Sequence, residues 1–246
     1  MRFLFYNIAY ATGSPRSTPH FLMTMHRYLR SSPRHFERLR EFIRSVDADI
    51  TGVVEMDSGS FRARRANHAR ELAASLDQHH SFQTKYHYDS VARKLPVLRH
   101  QGNAIFSRDQ AERNTTHFFT YGFKRLVMES RIAGVDIFLV HLSLSREVRR
   151  KQLLDLHRLV GDCHHHPVIV AGDFNARRGA VELEDFMQGT GLVSANREGV
   201  STFPAWNPQR ELDFILHSPV MRVQRFEVLK TIRLSDHLPM VMDFSV

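Results

Sequence analysis

Cysteine is nearly absent from the 246 residues: Cys163 stands alone, so no disulfide can close within the chain and nothing in it requires an oxidising compartment. Lysine is scarce as well, with five (85, 94, 124, 151 and 230) among 34 basic residues, the other 29 being arginine. No apolar run approaches the ~20 residues that span a bilayer. The N-terminal MRFLFYNIAYA faintly follows the outline of a secretion signal, but Asn7 breaks it early, where such signals run ~15–30 residues. We read it as a first strand and expect a cytoplasmic protein. Glycine (12) and proline (9) are too few for a collagen-like or low-complexity chain, and no linker, repeat or biased tract divides the sequence. A single domain over residues 1–246 is the expectation.

Positive charge is what the chain has in excess: 34 Lys plus Arg against 26 Asp plus Glu, a net +8. It is unevenly spread, with 20 basic and 11 acidic residues in 1–125 but 14 and 15 in 126–246. Guanidinium forks suit phosphate oxygens, and a basic surface concentrates polyanions around it.

Short runs rich in β-branched and aromatic residues recur at 3–8, 49–54, 103–107, 125–132, 135–142, 167–172, 211–217, 223–229 and 238–244. Several are apolar throughout, as strands buried on both faces are. Helical spacing marks 34–46, where Phe36, Leu39, Phe42, Ile43 and Val46 share a face behind Pro33, and again 61–76, 146–160 and 180–188. Many strands with a few helices between them predict an α/β fold of two packed sheets with helices outside. The connection 9–33 is long, and its middle, HFLMTMHRYLR, is apolar and basic without an acid.

Polar residues interrupt or end these apolar runs: Asn7, Glu55, His141, Asp173, Asn175, Asp213, Asp236 and His237. A buried carboxylate without a partner is costly, so an acid at a strand end needs water, a cation or a donor. Four acids with two histidines and two asparagines suit a hard divalent cation and phosphate chemistry. Oxygen ligands without cysteine favour Mg²⁺ or Mn²⁺ over zinc.

The order of YN (6–7), VVE (53–55), GNAIFSR (102–108), VHL (140–142), AGDFNA (171–176), LDFIL (212–216) and SDHLP (235–239) resembles the endonuclease/exonuclease/phosphatase superfamily, from residue 3 to residue 244. The resemblance implies a four-layer α/β sandwich, two central mixed sheets flanked by helices. It makes Glu55, with Asn7 beside it and Asp236 as a second carboxylate, the metal ligands. It gives Asp173 the attacking water, Asn175 and His237 the phosphate oxygens, Asp213 the orientation of the His237 ring, and His141 the leaving oxygen as a general acid. Two details depart from the common pattern: Val54 precedes Glu55 where many members carry Gln, and Asn103 stands in a looser version of its motif.

Arg177 and Arg178 follow the GDFNA motif directly and are candidates for further phosphate contacts; Lys124, Arg125 and the cluster Arg62, Arg64 and Arg65 are weaker ones. Arg149, Arg150 and Lys151 read as a solvated helix face, and His164, His165 and His166 as a solvated loop. The expected activity is metal-dependent hydrolysis of a phosphodiester by in-line attack of water. Nucleic acid is the expected substrate, since setting aside Glu55, Asp173, Asp213 and Asp236 leaves the scaffold at +12. The alternative is a lipid headgroup: Phe21, Leu22, Met23, Met25, Tyr28 and Leu29, with His26, Arg27 and Arg30, would form an amphipathic helix on an anionic membrane. A third reading, an inactive phosphate-binding module, fits less well because every matched position keeps a competent residue. Nothing in the sequence calls for an obligate protein partner.

Overall fold

The structure is a computed structural model that describes residues 1–14, 17, 32–86, 98–163 and 166–246. The expected amphipathic helix around Phe21–Arg30, and His164 and His165, lie outside the described residues. Within them the strands run β1 (Arg2–Asn7), β2 (Ile50–Asp57), β3 (His79–Thr84), β4 (Gln101–Ser107), β5 (Arg113–Phe118), β6 (Leu126–Ile132), β7 (Val135–His141), β8 (Val168–Asp173), β9 (Val193–Ser194), β10 (Asp213–His217), β11 (Arg222–Val228) and β12 (Met240–Ser245). The helices are α1 (Pro33–Val46), α2 (His68–Leu76), α3 (Arg146–Gly161) and α4 (Glu184–Thr190).

Two six-stranded sheets result, ordered β11-β12-β1-β2-β4-β3 and β5-β6-β7-β8-β10-β9. Each is antiparallel except for one central pair, β1 with β2 and β7 with β8. Parallel neighbours need a crossover, and α1 and α3 lie in those two connections. Phe3, Phe5, Ile105, Leu139, Ile169, Ile215 and Met242 fill the space between the sheets. Leu4, Phe36, Leu39, Ile43 and Leu72 pack α1 and α2 on the outside of the first sheet. Val140, Leu156, Val170 and Phe186 do the same for α3 and α4 on the second. The four-layer α/β sandwich is therefore as expected.

The apolar strands stand within a few residues of their expected limits, but β3, β5 and β9 are additions. All three are sheet edges, and their sequences HHSFQT, RNTTHF and VS alternate poorly because they are only half covered. The helix expected over 61–76 begins only at His68, where Asn67 accepts the Arg70 N–H in an N-cap. Residues 61–65 instead turn tightly, with positive φ at Arg64 and Arg65. That turn buries Arg62 against Asp57, which removes Arg62 as a phosphate contact. Arg149 is also buried rather than solvated, paired with Glu182 and donating to the Ser143 and Leu144 carbonyls.

Candidate active site

The carboxyl ends of the two parallel pairs meet at one end of the sandwich. On the second sheet, His141 of β7, Asp173 of β8 and Asp213 of β10 stand side by side in cross-strand register. Gly172 makes the close approach possible: a Cβ there would lie 2.2 Å from the Val140 carbonyl oxygen. From the first sheet come Asn7 at the end of β1 and Glu55 on β2. Glu55 sits in a bulge with φ +59°, a left-handed conformation that costs a non-glycine residue free energy and turns its side chain out of the ladder's alternation.

Asp173 is the hub. Its Oδ2 accepts from the Asn7 amide at 3.1 Å, lies 3.1 Å from His141 Nε2 and 3.9 Å from His237 Nε2, while Oδ1 accepts the Asn175 backbone N–H at 2.9 Å. Burial alone would raise its pKa, but His141 and His237 overcome that and hold it well below the usual carboxylate range. His237 Nδ1 meets Asp213 Oδ2 at 2.7 Å, and that oxygen also accepts from the Thr202 hydroxyl at 2.6 Å. Burial would depress the His237 pKa; Asp213 and Asp173 outweigh it and push it up to about 10.

Glu55 is surrounded differently. Lys85 Nζ at 3.6 Å, His141 Nδ1 at 3.7 Å and Lys124 Nζ at 3.9 Å all approach the same oxygen, Oε1. Burial raises the Glu55 pKa, yet Lys85, Lys124 and His141 bring it down to about 2. Asp236, buried nearby with the Ser235 hydroxyl on its Oδ1, is raised by burial; His237 opposes the rise and the negative charge of Glu55 adds to it.

Lys85 and Lys124 enlarge the set expected from sequence. Lys85 follows β3, is 3% exposed, and donates to the Tyr10 hydroxyl at 2.7 Å, which itself donates to Gln101. Tyr10 lies in a left-handed turn at Ala9–Ala11 whose first N–H is accepted by the Asn7 side chain. The two lysines bracket His141: Lys85 Nζ is 3.4 Å from Nδ1, and Lys124 contacts Nε2. Burial, reinforced by Lys124 and Lys85, lowers the His141 pKa to about 4. In a neutral ring Nδ1 accepts from Lys85, while Nε2 faces both the Lys124 ammonium and the Asp173 carboxylate. Nothing local in TKYHY marks Lys85; the one available signal was the rarity of lysine in an arginine-rich chain.

Asn175 is in the cleft, but one hydrogen of its amide is spent on the Leu142 carbonyl at 3.0 Å, tying the exit of β7 to that of β8. Asn103 is fully buried beside the bulge and accepts the Glu55 N–H at 3.4 Å. Arg177 and Arg178 are exposed directly after this motif, and the Arg178 backbone N–H is held by Glu182.

Among the described residues, two groups of side chains have ligand atoms close enough for a metal, Asp173 with Asp213 and His237, and Glu129 with Asp136 and Cys163. In the first, Asp213 Oδ2 and His237 Nδ1 are already bonded to each other, which suits a proton relay better than a cage. In the second, Arg113, Arg131 and His117 already pair the two acids. A hard cation fits better at Glu55, whose low pKa keeps it charged, whose backbone is strained in the bulge, and whose contacts with Lys85, Lys124 and His141 are all 3.6 Å or longer. A cation there would also relieve the like-charge opposition between Glu55 and Asp236.

The chain is similar to proteins of several bacteria. Over 112 residues it is 35% identical to a UPF0294 protein of Yersinia enterocolitica; the match takes in 45% of the chain and 41% of that protein's length. A functionally unknown conserved protein from Enterococcus faecalis superposes with a TM-score of 0.73 at 16% identity, covering 100% of this chain and 99% of the other. The mannosyl-6-phosphatase Bt3783 of Bacteroides thetaiotaomicron gives 0.71 at 14% identity, covering 100% of both. These two superpositions speak for the fold alone. The sequence profile of the Endonuclease/Exonuclease/phosphatase family matches residues 4–237, so the cleft assembled at the ends of β1, β2, β7 and β8 belongs to a member of that family of phosphoester hydrolases.

Proposed function

We propose that the protein hydrolyses phosphodiester bonds in nucleic acid by in-line attack of water, with Mg²⁺ or Mn²⁺ bound at Glu55, Asp236 and Asn7. The observation that carries the reading is the hub at Asp173, where side chains from both sheets converge on one ionised carboxylate beside a second, Glu55, whose Lys85 neighbour stands 3.6 Å away. Bound there, the cation supplies neutralisation of the phosphate charge.

The residues of the chain account for the rest. Asp173, kept ionised by its histidine neighbours, orients the water in line with the phosphorus. His237, held by Asp213 and carrying a proton, donates from Nε2 to a non-bridging oxygen as charge builds on it. Lys85 and Lys124 present ammonium groups on the Glu55 side, suited to the phosphate and to the departing oxygen, while neutral His141 fixes their spacing. Arg177 and Arg178 extend the cationic rim along a polymer backbone. The scaffold charge of the first half of the chain supports a polyanionic substrate over a small phosphomonoester.

Purified protein incubated with plasmid, single-stranded oligonucleotide, bis(p-nitrophenyl) phosphate, a sugar phosphate and anionic phospholipid vesicles tests this directly. Cleavage of nucleic acid that stops on adding chelator and weakens with salt is the expected outcome. Turnover confined to the sugar phosphate or the phospholipid would replace the nuclease reading.

A further inference from the structure

Beside Lys124 stands a ring that the hydrolytic chemistry leaves unused. Phe123 is 61% exposed, although it belongs to a residue type that folding ordinarily covers. It is not on a loose loop. Gln152 of α3 donates to the carbonyls of Tyr121 at 2.9 Å and Lys124 at 2.6 Å and accepts the Ser143 N–H at 2.9 Å. Gly122 has φ +98°, and a Cβ there would lie 2.7 Å from Val148 Cγ1, so the loop lies flat against the helix only with glycine.

The ring is also propped. Tyr86, 6% exposed, meets Phe123 edge-on with centroids 4.9 Å apart and planes at 64°. Two dipeptides from different sheets thus mirror each other, Lys85–Tyr86 after β3 and Phe123–Lys124 before β6. In each, the lysine reaches Glu55 and His141, and the two aromatics meet one residue, about 3.8 Å of chain, away.

We propose that Phe123, held edge-on by Tyr86, is a stacking platform for the base that flanks the scissile phosphate in a single-stranded nucleic acid. The proposal rests on the nuclease reading and names the part of the substrate that reading leaves open. A base inside a duplex has both faces covered by its neighbours, whereas an unpaired base can lay one face on an aromatic ring, a contact indifferent to base identity. The other exposed aromatic of the loop, Tyr121, already has the Lys151 ammonium over one face of its ring at 4.8 Å. One open ring face beside two phosphate-seeking ammonium groups suits a nucleotide better than a bilayer, which would need a broad apolar outline.

The test compares a labelled single-stranded oligonucleotide with one of equal length carrying abasic tetrahydrofuran residues. Binding is read by fluorescence anisotropy in chelator, and cleavage is then read with Mg²⁺. The intact strand should bind about ten-fold more tightly than the abasic one; Phe123→Ala should erase that ratio and raise KM more than it lowers kcat, and Phe123→Trp should restore it. Equal binding of the two strands by the wild-type protein, or an unchanged ratio in Phe123→Ala, would overturn the platform, and cleavage of either strand would still leave the nuclease standing. Neither binding nor cleavage of any strand would overturn both. Flotation on anionic vesicles that Phe123→Ala abolishes would hand the ring to a membrane instead.

Discussion

Two carboxylates on the same strand, Glu55 and Asp57, lie two residues apart and have opposite fates. Asp57 is wholly buried and accepts five hydrogen bonds between 2.6 and 3.1 Å, from the N–H groups of Gly59 and Ser60, the Ser60 hydroxyl, and Nε and Nη2 of Arg62. Among the described residues, Glu55 has two ammonium groups and the neutral His141 ring near it, yet none of those contacts is closer than 3.6 Å, and its backbone is strained where that of Asp57 is not. A carboxylate whose lone pairs are filled by short, fixed donors closes a turn. One that keeps its neighbours at arm's length stays available for something that arrives later, and the bulge between Val53 and Met56 is what sets the two apart.

The sharpest way to break that contrast is to neutralise each acid in turn. Glu55→Gln should cut turnover about a thousand-fold or more, roughly 4 kcal/mol of barrier, with a cooperative melt retained. The same variant should lose the thermal stabilisation that Mg²⁺ gives the wild type, about 2.7 kcal/mol at a hundredfold excess over Kd. A Glu55→Gln protein that turns over normally and still responds to Mg²⁺ would remove Glu55 from the metal. Asp57→Asn should act on the fold instead. It leaves the Arg62 guanidinium buried without its counter-charge, a change that costs about 3–5 kcal/mol, read as a lower denaturation midpoint. Its turnover per folded molecule should stay within a few-fold of wild type, and a thousand-fold loss there would erase the distinction.

The contrast also shows what the sequence could and could not say. The central strands were legible because they are apolar on both faces, and the polar residues ending them stood out against that background: Asn7, Glu55, His141, Asp173, Asp213 and His237 do converge. The edge strands β3 and β5 were not, since half-covered strands carry polar residues wherever water reaches them. Glu55 and Asp57 look alike in VVEMD; which of them is filled depends on Ser60 and Arg62 folding back, and a run of arginines with helical spacing hid that turn. Lys85 was invisible for a related reason. A lysine after a polar strand reads as solvated, and only the left-handed turn that carries the Tyr10 hydroxyl to it makes a dry site for its ammonium.

Acid weakens the fold at a residue packed beside the Asp57–Arg62 pair. His68, at the start of α2, stacks on Phe36 with centroids 3.8 Å apart and is 3% exposed, next to the Asp57–Arg62 pair. Burial lowers its pKa to about 4; Asp57 pulls it upward and Arg62 pushes it down, so the closed pair leaves desolvation to decide. The folded protein therefore keeps His68 neutral where the unfolded chain, near pH 6.5, begins to bind a proton. Its stabilisation is complete above pH 6.5 and is lost as pH falls from there toward 4. Between pH 7.5 and pH 5 the wild type should lose about 2 kcal/mol more than His68→Phe, which keeps the stacked ring without the titration. Denaturant curves of the two proteins at both pH values measure the difference directly. Equal losses would mean that the Asp57 carboxylate, for all its hydrogen bonds, still has charge enough to hold the His68 proton inside the fold.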